Sequence, residues 1–522
     1  MTDRREFLQN LAAFAAAATF EPRTNPGPRP NSEPRANSEP RTSNLEPAAD
    51  GRLIGVQMGA HTMLDEGIEP ALDLCRETAD IDTLFTYSHA YGGDVRKPID
   101  WLAADHGKPP IDQRSRKLPQ VYVKLHEQYY KDTSLRHQSV DSSFAYANRD
   151  LFSEMREPAT KRGMKIYARI LEARSPDIRN FDKVVMIDVN GKPTQTACWN
   201  HPEYKAFWNA TVTDLFRSYD LDGFQWGAEH ASPLTRLING GTESAAACFC
   251  QFCLARGKAH GIDTSRARSG FAEMLGYIQR LRAGTRPPDG AYAEYFRILM
   301  RYPEILAWEY QYRLSREEIM RGMYDTIKAI KPSAQVGWHV DHWATSMDLI
   351  ARAAMSYAEM APWADYEKVV VYHAVTAPRL RSWVANEQRS ILSDMPLEDA
   401  INYHYELWGY PKTIDAMANK PTPPAASPEY VYAETKRSVE SAQGKTKIYP
   451  GIGFNLPGGG PDDPDAIYHC VMKAFDAGAA GIVISREYEE LTVPNLKAVG
   501  RASRDRRKDA NAKALPSLGR RE

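Results

Sequence analysis

Asp222-Gly223-Phe224-Gln225-Trp226-Gly227-Ala228-Glu229-His230 holds the most chemically suggestive spacing in the sequence. An apolar-aromatic run follows a helical segment and ends in a carboxylate, with a tryptophan close by. At the open end of a parallel barrel, Glu229 reads as a general acid/base and Trp226 as a platform for a sugar ring. The plainer reading of the same glutamate is a salt bridge at a strand end.

Cleaving a glycosidic bond takes two carboxyl groups, and the chemistry requires no cofactor. Asp341 and Glu487, each following an apolar run, are the candidate partners of Glu229, with Glu172 third. Other strand-like runs also end in polar or aromatic groups, and these are the candidate substrate-binding residues. They are His89 and Tyr91, Arg169 with Glu172, Trp338 with His339, His373, Asn455 and Arg486. Lys124 and His126 stand on a further strand-like piece, Val121–His126, expected to cover the mouth. Any one of these groups is more simply a satisfied structural side chain. Their convergence on one rim is the argument for a site, because unpaired buried polarity is costly.

The six cysteines divide unevenly. Cys248-Phe249-Cys250-Gln251-Phe252-Cys253 is a C-x-C-x2-C pattern, and Cys198 upstream is the candidate fourth ligand of a structural zinc ion. A disulfide and free buried thiols are the alternatives. Cys75 and Cys470 fall in helical patterns and read as core.

The elements that must position these groups alternate between β-rich runs and helices. Candidate strands are Leu53–Gly59, Thr83–Ser88, Lys165–Leu171, Gly223–Trp226, Gln335–His339, Lys368–His373, Ile448–Phe454 and Gly481–Ser485. Helical patterns span His201–Tyr219 and Tyr295–Ile330, the second broken near Pro303. The expected fold is a (β/α)8 TIM barrel with insertions, over residues 51–500. A doubly wound sheet is the competing architecture. Gly458-Gly459-Gly460 lacks the Lys-Ser/Thr of a phosphate loop.

The chain has 522 residues and a formal charge of -1, a balance that predicts no nucleic-acid partner. Residues 21–50 repeat a Pro-rich polar unit and are expected to form a disordered linker. The basic stretch 501–522 is expected to be a disordered tail. Residues 1–20, with Arg4-Arg5 ahead of Phe7-Leu8 and an Ala-rich run, resemble a twin-arginine signal, although Asp3 and Gln9 depart from the usual motif. The resemblance implies the twin-arginine translocation machinery as a partner and a periplasmic or secreted destination.

Between residues 50 and 500 the strand pattern resembles the barrel glycoside hydrolases that carry an acid/base Glu after strand four. That resemblance implies Glu229 in this role and a carbohydrate as substrate. Two departures stand out. Ala228 occupies the position of the family's Asn, and Gly453-Phe454-Asn455 supplies no carboxylate at strand seven, so the nucleophile is left unassigned. The cysteine pattern resembles the structural zinc site of family 42 β-galactosidases. Two other readings remain open. One is a metal-dependent sugar isomerase or epimerase using His126, Glu172, Glu229, Asp341 and His373, and the other is a non-catalytic carbohydrate-binding barrel.

Overall fold

The protein is seen in a computed structural model. It describes residues 52–90, 106, 121–138, 140, 142–172, 178–228, 230–410, 427–454, 463–485 and 487–514, with side chains to 509. The expected signal at 1–20, the linker at 21–50, Tyr91, Glu229, Asn455 and Arg486 lie outside the described residues.

Eight parallel strands close a barrel. They are β1 Leu53–Met58, β2 Thr83–His89, β3 Lys165–Leu171, β4 Gly223–Gly227, β5 Gln335–Val340, β6 Tyr366–Val370, β7 Lys447–Gly453 and β8 Gly481–Ser485. Each pairs with its sequence neighbours, and β8 closes onto β1 with Val483 opposite Gly55. The fold is a (β/α)8 barrel. Helices α1 Leu151–Lys161, α2 Pro202–Ser218, α3 Glu304–Ile330, α4 His373–Gln388, α5 Pro428–Ala442, α6 Pro464–Asp476 and α7 Val493–Ala514 belong to the surrounding layer.

The α2 helix shows why such segments are helical. Pro202 opens its first turn, and the His201 ring accepts from the Glu203 N–H at 3.3 Å. Tyr204, Phe207, Trp208 and Leu215 recur at helical spacing and are buried against the barrel. The break expected near Pro303 separates the helix Ala291–Arg301 from α3.

Three boundaries differ from expectation. β6 spans Tyr366–Val370 rather than Lys368–His373, because helix α4 already begins at His373. Val121–His126 is not a strand; only Val121 makes a bridge, to His89. The basic stretch after 500 is helical as far as Ala514. Its arginines pair with the protein body: Arg501 with Asp465, Arg506 with Asp476, and Arg507 with Asp80.

The barrel interior has two levels. At the base, Leu53, Phe85, Tyr167, Tyr366, Tyr449 and Val483 form a buried plug. Glycines on neighbouring strands leave room for these rings. A Cβ on Gly337 would stand 2.5 Å from the Tyr366 ring, and one on Gly223 would stand 2.7 Å from Tyr167. Above the plug the interior turns polar, and the side chains there come from the C-terminal ends of the strands.

Candidate active site

The upper interior is organised by an ion pair across the barrel. Arg169 on β3 donates to Glu487 Oε1, just beyond β8, at 3.0 Å, and the side chains are 2% and 13% exposed. Tyr87 on β2 donates to the same oxygen at 3.2 Å, and its ring lies 4.1 Å from the guanidinium. Burial works against the charge on Arg169, but Tyr87 and Glu487 outweigh it and keep its pKa above the usual range. Among the described residues, Glu487 Oε2 has no hydrogen-bond partner.

A second group adjoins the pair. Lys368, fully buried on β6, bonds to the Tyr372 hydroxyl and lies 3.4 Å from His339 Nδ1 on β5. Tyr372 in turn donates to Gln57 Oε1 on β1 at 3.0 Å. Glycines again open the space: a Cβ on Gly451 would meet Lys368 at 2.6 Å, and one on Gly453 would meet Tyr372 at 2.7 Å. Burial, reinforced by Lys368 and Arg169, pushes the His339 pKa well down, so the ring is a neutral acceptor or donor near neutral pH. Burial raises the Tyr372 pKa; Arg169 works against the rise, and the charges of Glu487 and Asp341 add to it.

Asp341 follows β5, held by the Trp343 indole N–H at 3.0 Å and the His342 amide at 2.5 Å. A third carboxyl, Glu489, lies against Gly59 at the end of β1, where a Cβ would meet its Oε1 at 2.7 Å. Burial first, then the charge of Glu487, lifts its pKa to about 7. The mouth therefore combines an ion-paired carboxylate with a carboxyl that stays partly protonated at neutral pH. Such a division separates acid from base roles in acyl and glycosyl chemistry.

Of the sequence-expected residues, Arg169, His339, Asp341 and Glu487 meet in the mouth. Several others do not, and strand alternation explains most of them. In β4 and β5 the interior positions are Gly223, Gln225 and Gly227, then Gly337 and His339, so the intervening tryptophans face outward. Trp226 packs on Trp208 of α2 at 5.5 Å, and Trp338 donates to the Trp363 carbonyl at 2.9 Å. Neither is a sugar platform. Glu172 also faces outward, bonded by Trp199 Nε1 at 2.5 Å and the Tyr204 hydroxyl at 2.8 Å, with His230 Nδ1 at 2.8 Å from its other oxygen.

His89 stacks on His137 at 4.3 Å beneath α2, and burial pushes its pKa down to about 3. His126 pairs with Asp214 of α2 at 2.7 Å, and the Lys124 amide bonds Tyr219 at 2.8 Å, which puts both on the helical layer. His373 is buried in the first turn of α4, its pKa lowered by burial to about 4, and its Nδ1 has no partner among the described residues. The described members of the set that the isomerase reading needs, His126, Glu172, Asp341 and His373, are thus dispersed.

Sequence reasoning missed Lys368, Gln57 and Gln225. The usable signal was the period-two pattern Tyr366-x-Lys368-x-Val370, which puts a lysine on the interior face. Gln225, fully buried on β4, has both amide atoms without partners among the described residues.

The cysteines gather as expected. Cys198, Cys248, Cys250 and Cys253 are buried with their sulfurs all within 4.8 Å of one another, an arrangement able to hold a metal ion. The Cys198 sulfur lies 3.6 Å from that of Cys250 and 3.4 Å from that of Cys253. All six cysteines are free thiols, so the disulfide alternative is not what the fold contains. Hydrogen bonds from Cys198, Cys248 and Cys253 hold the Cys250 thiol pKa far down, so one thiolate is shared by its neighbours. Among the described residues no other group of His, Cys, Asp and Glu could hold a metal.

No family model matches the chain, and no curated protein matches it. Similar solved structures include alpha-L-fucosidase isoenzyme 2 from Paenibacillus thiaminolyticus, at 12% identity and TM-score 0.43, over 89% of this chain and 51% of that one. The PgaB (BpsB) glycoside hydrolase domain from Bordetella bronchiseptica is 11% identical, with TM-score 0.45 over 87% of this chain and 98% of that one. Beta-galactosidase from Halorubrum lacusprofundi is 10% identical, with TM-score 0.46 over 87% and 58%. The chain spans about half the length of the fucosidase. The barrel assignment rests on the strand pairing, not on these likenesses.

Breaking the ion pair from one side strands a buried charge. Arg169→Met is expected to destabilise the fold by about 3–5 kcal/mol. Adding Glu487→Gln should recover much of that loss in thermal unfolding. Simple addition of the two single losses would mean that the pair is not coupled.

Proposed function

We propose that the protein is an exported glycoside hydrolase, with its mouth binding a saccharide. Glu229 is the general acid/base, and Glu487 or Asp341 supplies the second carboxylate. The observation that carries this reading is Glu487 itself. It stands beyond a barrel strand, fixed through one oxygen by Arg169 and Tyr87, with the other oxygen unengaged among the described residues. A carboxylate oriented in this way suits attack on an anomeric carbon, or on a water beside it. Lys368, Tyr372, Gln57 and Gln225 add the buried donors and acceptors that sugar hydroxyls need. Glu229 is flanked by anchored neighbours: Ala228 is buried, and His230 is stacked on Trp199 at 4.1 Å.

The decisive measurement is hydrolysis of a panel of aryl glycosides and polysaccharides. Glu229→Gln and Glu487→Gln should each lower turnover by about two orders of magnitude or more while the protein stays folded. Wild-type rates in both variants, or an inert wild-type protein across the whole panel, would overturn the proposal.

The four-cysteine group is read as a structural zinc site. Thiolates are the ligands zinc takes in closed sites, and tetrahedral Zn–S bonds of about 2.3 Å put the sulfurs about 3.8 Å apart, close to the spacing found here. Bound zinc would tie Cys198, four residues ahead of α2, to the segment after β4, and it enters no step of hydrolysis. Protein purified without chelator should carry about one zinc per chain. Cys250→Ser should lower zinc content and Tm together, and full zinc in that variant would dismiss the cluster as a ligand set.

Export is read from Arg4-Arg5 and the apolar run behind them, with the protein folding before transport. Replacing both arginines by lysine should leave the protein inside the cell on fractionation. Unchanged export would remove the twin-arginine route.

A further inference from the structure

A second cavity, of about 450 Å³, lies away from the mouth. It is open to solvent and is lined by the helices inserted between β4 and β5 and by those that follow β5 and β6. Its size falls within the range of about 300–1,000 Å³ typical of pockets for small organic molecules. The walls are aromatic and aliphatic, and Tyr292, Phe296, Leu306, Tyr310, Leu349 and Leu407 leave large apolar faces in solvent around it. Contiguous apolar exposure of this kind marks a binding surface more often than an inert one.

Three carboxyls line the same space: Glu309 on α3, Asp348 at the head of the short helix Leu349–Ala353, and Glu387 on α4. Each is held in place by a donor. The Leu234 amide bonds Glu309, Thr235 and the Ile350 amide (2.9 Å) bond Asp348, and the Trp383 indole bonds Glu387 at 3.0 Å. These donors orient the carboxyls without neutralising them. Arg236 acts on Glu309 from a distance, its guanidinium bonded to the Ala247 carbonyl at 3.1 Å. Among the described residues, no cation acts on Asp348 or Glu387. Tyr295 also lines the cavity, is only 5% exposed, and lies within reach of the charges on Asp348 and Glu309.

We propose that this cavity binds a small organic cation, an amine or ammonium group carried on an apolar or aromatic body. The carboxyls supply the countercharge, the tyrosines and Phe296 supply cation–π faces, and the aliphatic walls take the body. Nothing in this assignment depends on what the mouth does.

The carboxyls sit ready for such a ligand. Burial, aided for Glu309 and Glu387 by the charge of Asp348, raises Glu309 to about 7, Asp348 to about 6 and Glu387 to about 8. His404, the other lining group that titrates in this range, is pushed down to about 4 by burial and stays neutral. A bound cation favours the ionised carboxylates, so binding releases protons near neutral pH. Affinity therefore rises as pH climbs from about 6 to about 8.

The test is calorimetric titration of the full chain with 4-phenylbutylamine and with its uncharged counterpart 4-phenylbutan-1-ol. At pH 8 the amine should bind about tenfold or more tightly than the alcohol, a preference that shrinks at pH 6. Asp348→Asn combined with Glu387→Gln should abolish the preference while alcohol binding persists. Glu387→Gln alone, at a partly exposed carboxyl, should reduce it if the double variant does not fold. Glu487→Gln, compared at a temperature where its unfolding curve shows it folded, should bind the amine as the wild type does, whatever happens to glycoside hydrolysis. Equal binding of both probes, no binding, an undiminished preference in the carboxyl variants, loss of amine binding in folded Glu487→Gln, or a stable dimer that shuts the amine out would each overturn the proposal.

Discussion

Two opposite charges inside a closed barrel have to answer each other, and the upper half of this protein is arranged around that requirement. Removing either Arg169 or Glu487 from water alone costs several kcal/mol, and attraction across a dry interior repays it only with good geometry. Here Tyr87 completes the geometry by donating to the carboxylate while its ring covers the guanidinium. The aromatic plug below, from Phe85 to Tyr449, keeps the level beneath the charges apolar. Charges above such a floor act strongly on whatever enters between them. Glycines make the arrangement sterically possible, since Gly451 and Gly453 leave the space that Lys368 and Tyr372 fill.

The barrel was legible in the sequence because each strand is a short β-rich run bounded by a helix, and eight such runs specify a closed parallel sheet. The mouth was half legible. Arg169, His339, Asp341 and Glu487 were found because they sit at or beyond strand ends on the interior parity. Trp226, Trp338 and Glu172 sit one residue away from interior positions, and a shift of one residue along a strand moves a side chain to the opposite face. Their aromatic or acidic character drew attention that parity would have redirected. Lys368 was missed for a related reason: with the start of β6 placed two residues late, it stood as the first residue of the strand, where its interior parity with Tyr366 and Val370 does not show. The placement of Lys124 and His126 depends on a long insertion whose path carries no period, and only the contacts with Asp214 and Tyr219 reveal it.

The cysteine corner and the mouth are closer in mechanical terms than in sequence. Cys198 is followed directly by Trp199, whose indole bonds Glu172 and stacks on His230 and Tyr312. His230 is the next residue after Glu229. The group that can hold a metal therefore fixes one end of a buried chain of contacts, and the other end is the residue beside the expected acid. Any loosening at Cys250 has a direct route to the strand-four loop through Trp199 and Glu172.

The carboxyls of this protein show how little residue type alone determines. Glu487 has a guanidinium and a phenol committed to one of its oxygens, while Glu489, two residues on, lies against Gly59 and is lifted to about 7 by burial and by its neighbour's charge. Glu309, Asp348 and Glu387 line an apolar cavity with donors but scarcely any countercharge. A carboxylate beside a fixed cation already has its countercharge, whereas carboxyls without one favour a cationic neighbour. The same physics, the cost of an unanswered charge in a low dielectric, thus bears on both the ion-paired carboxylate of the mouth and the carboxyls of the cavity.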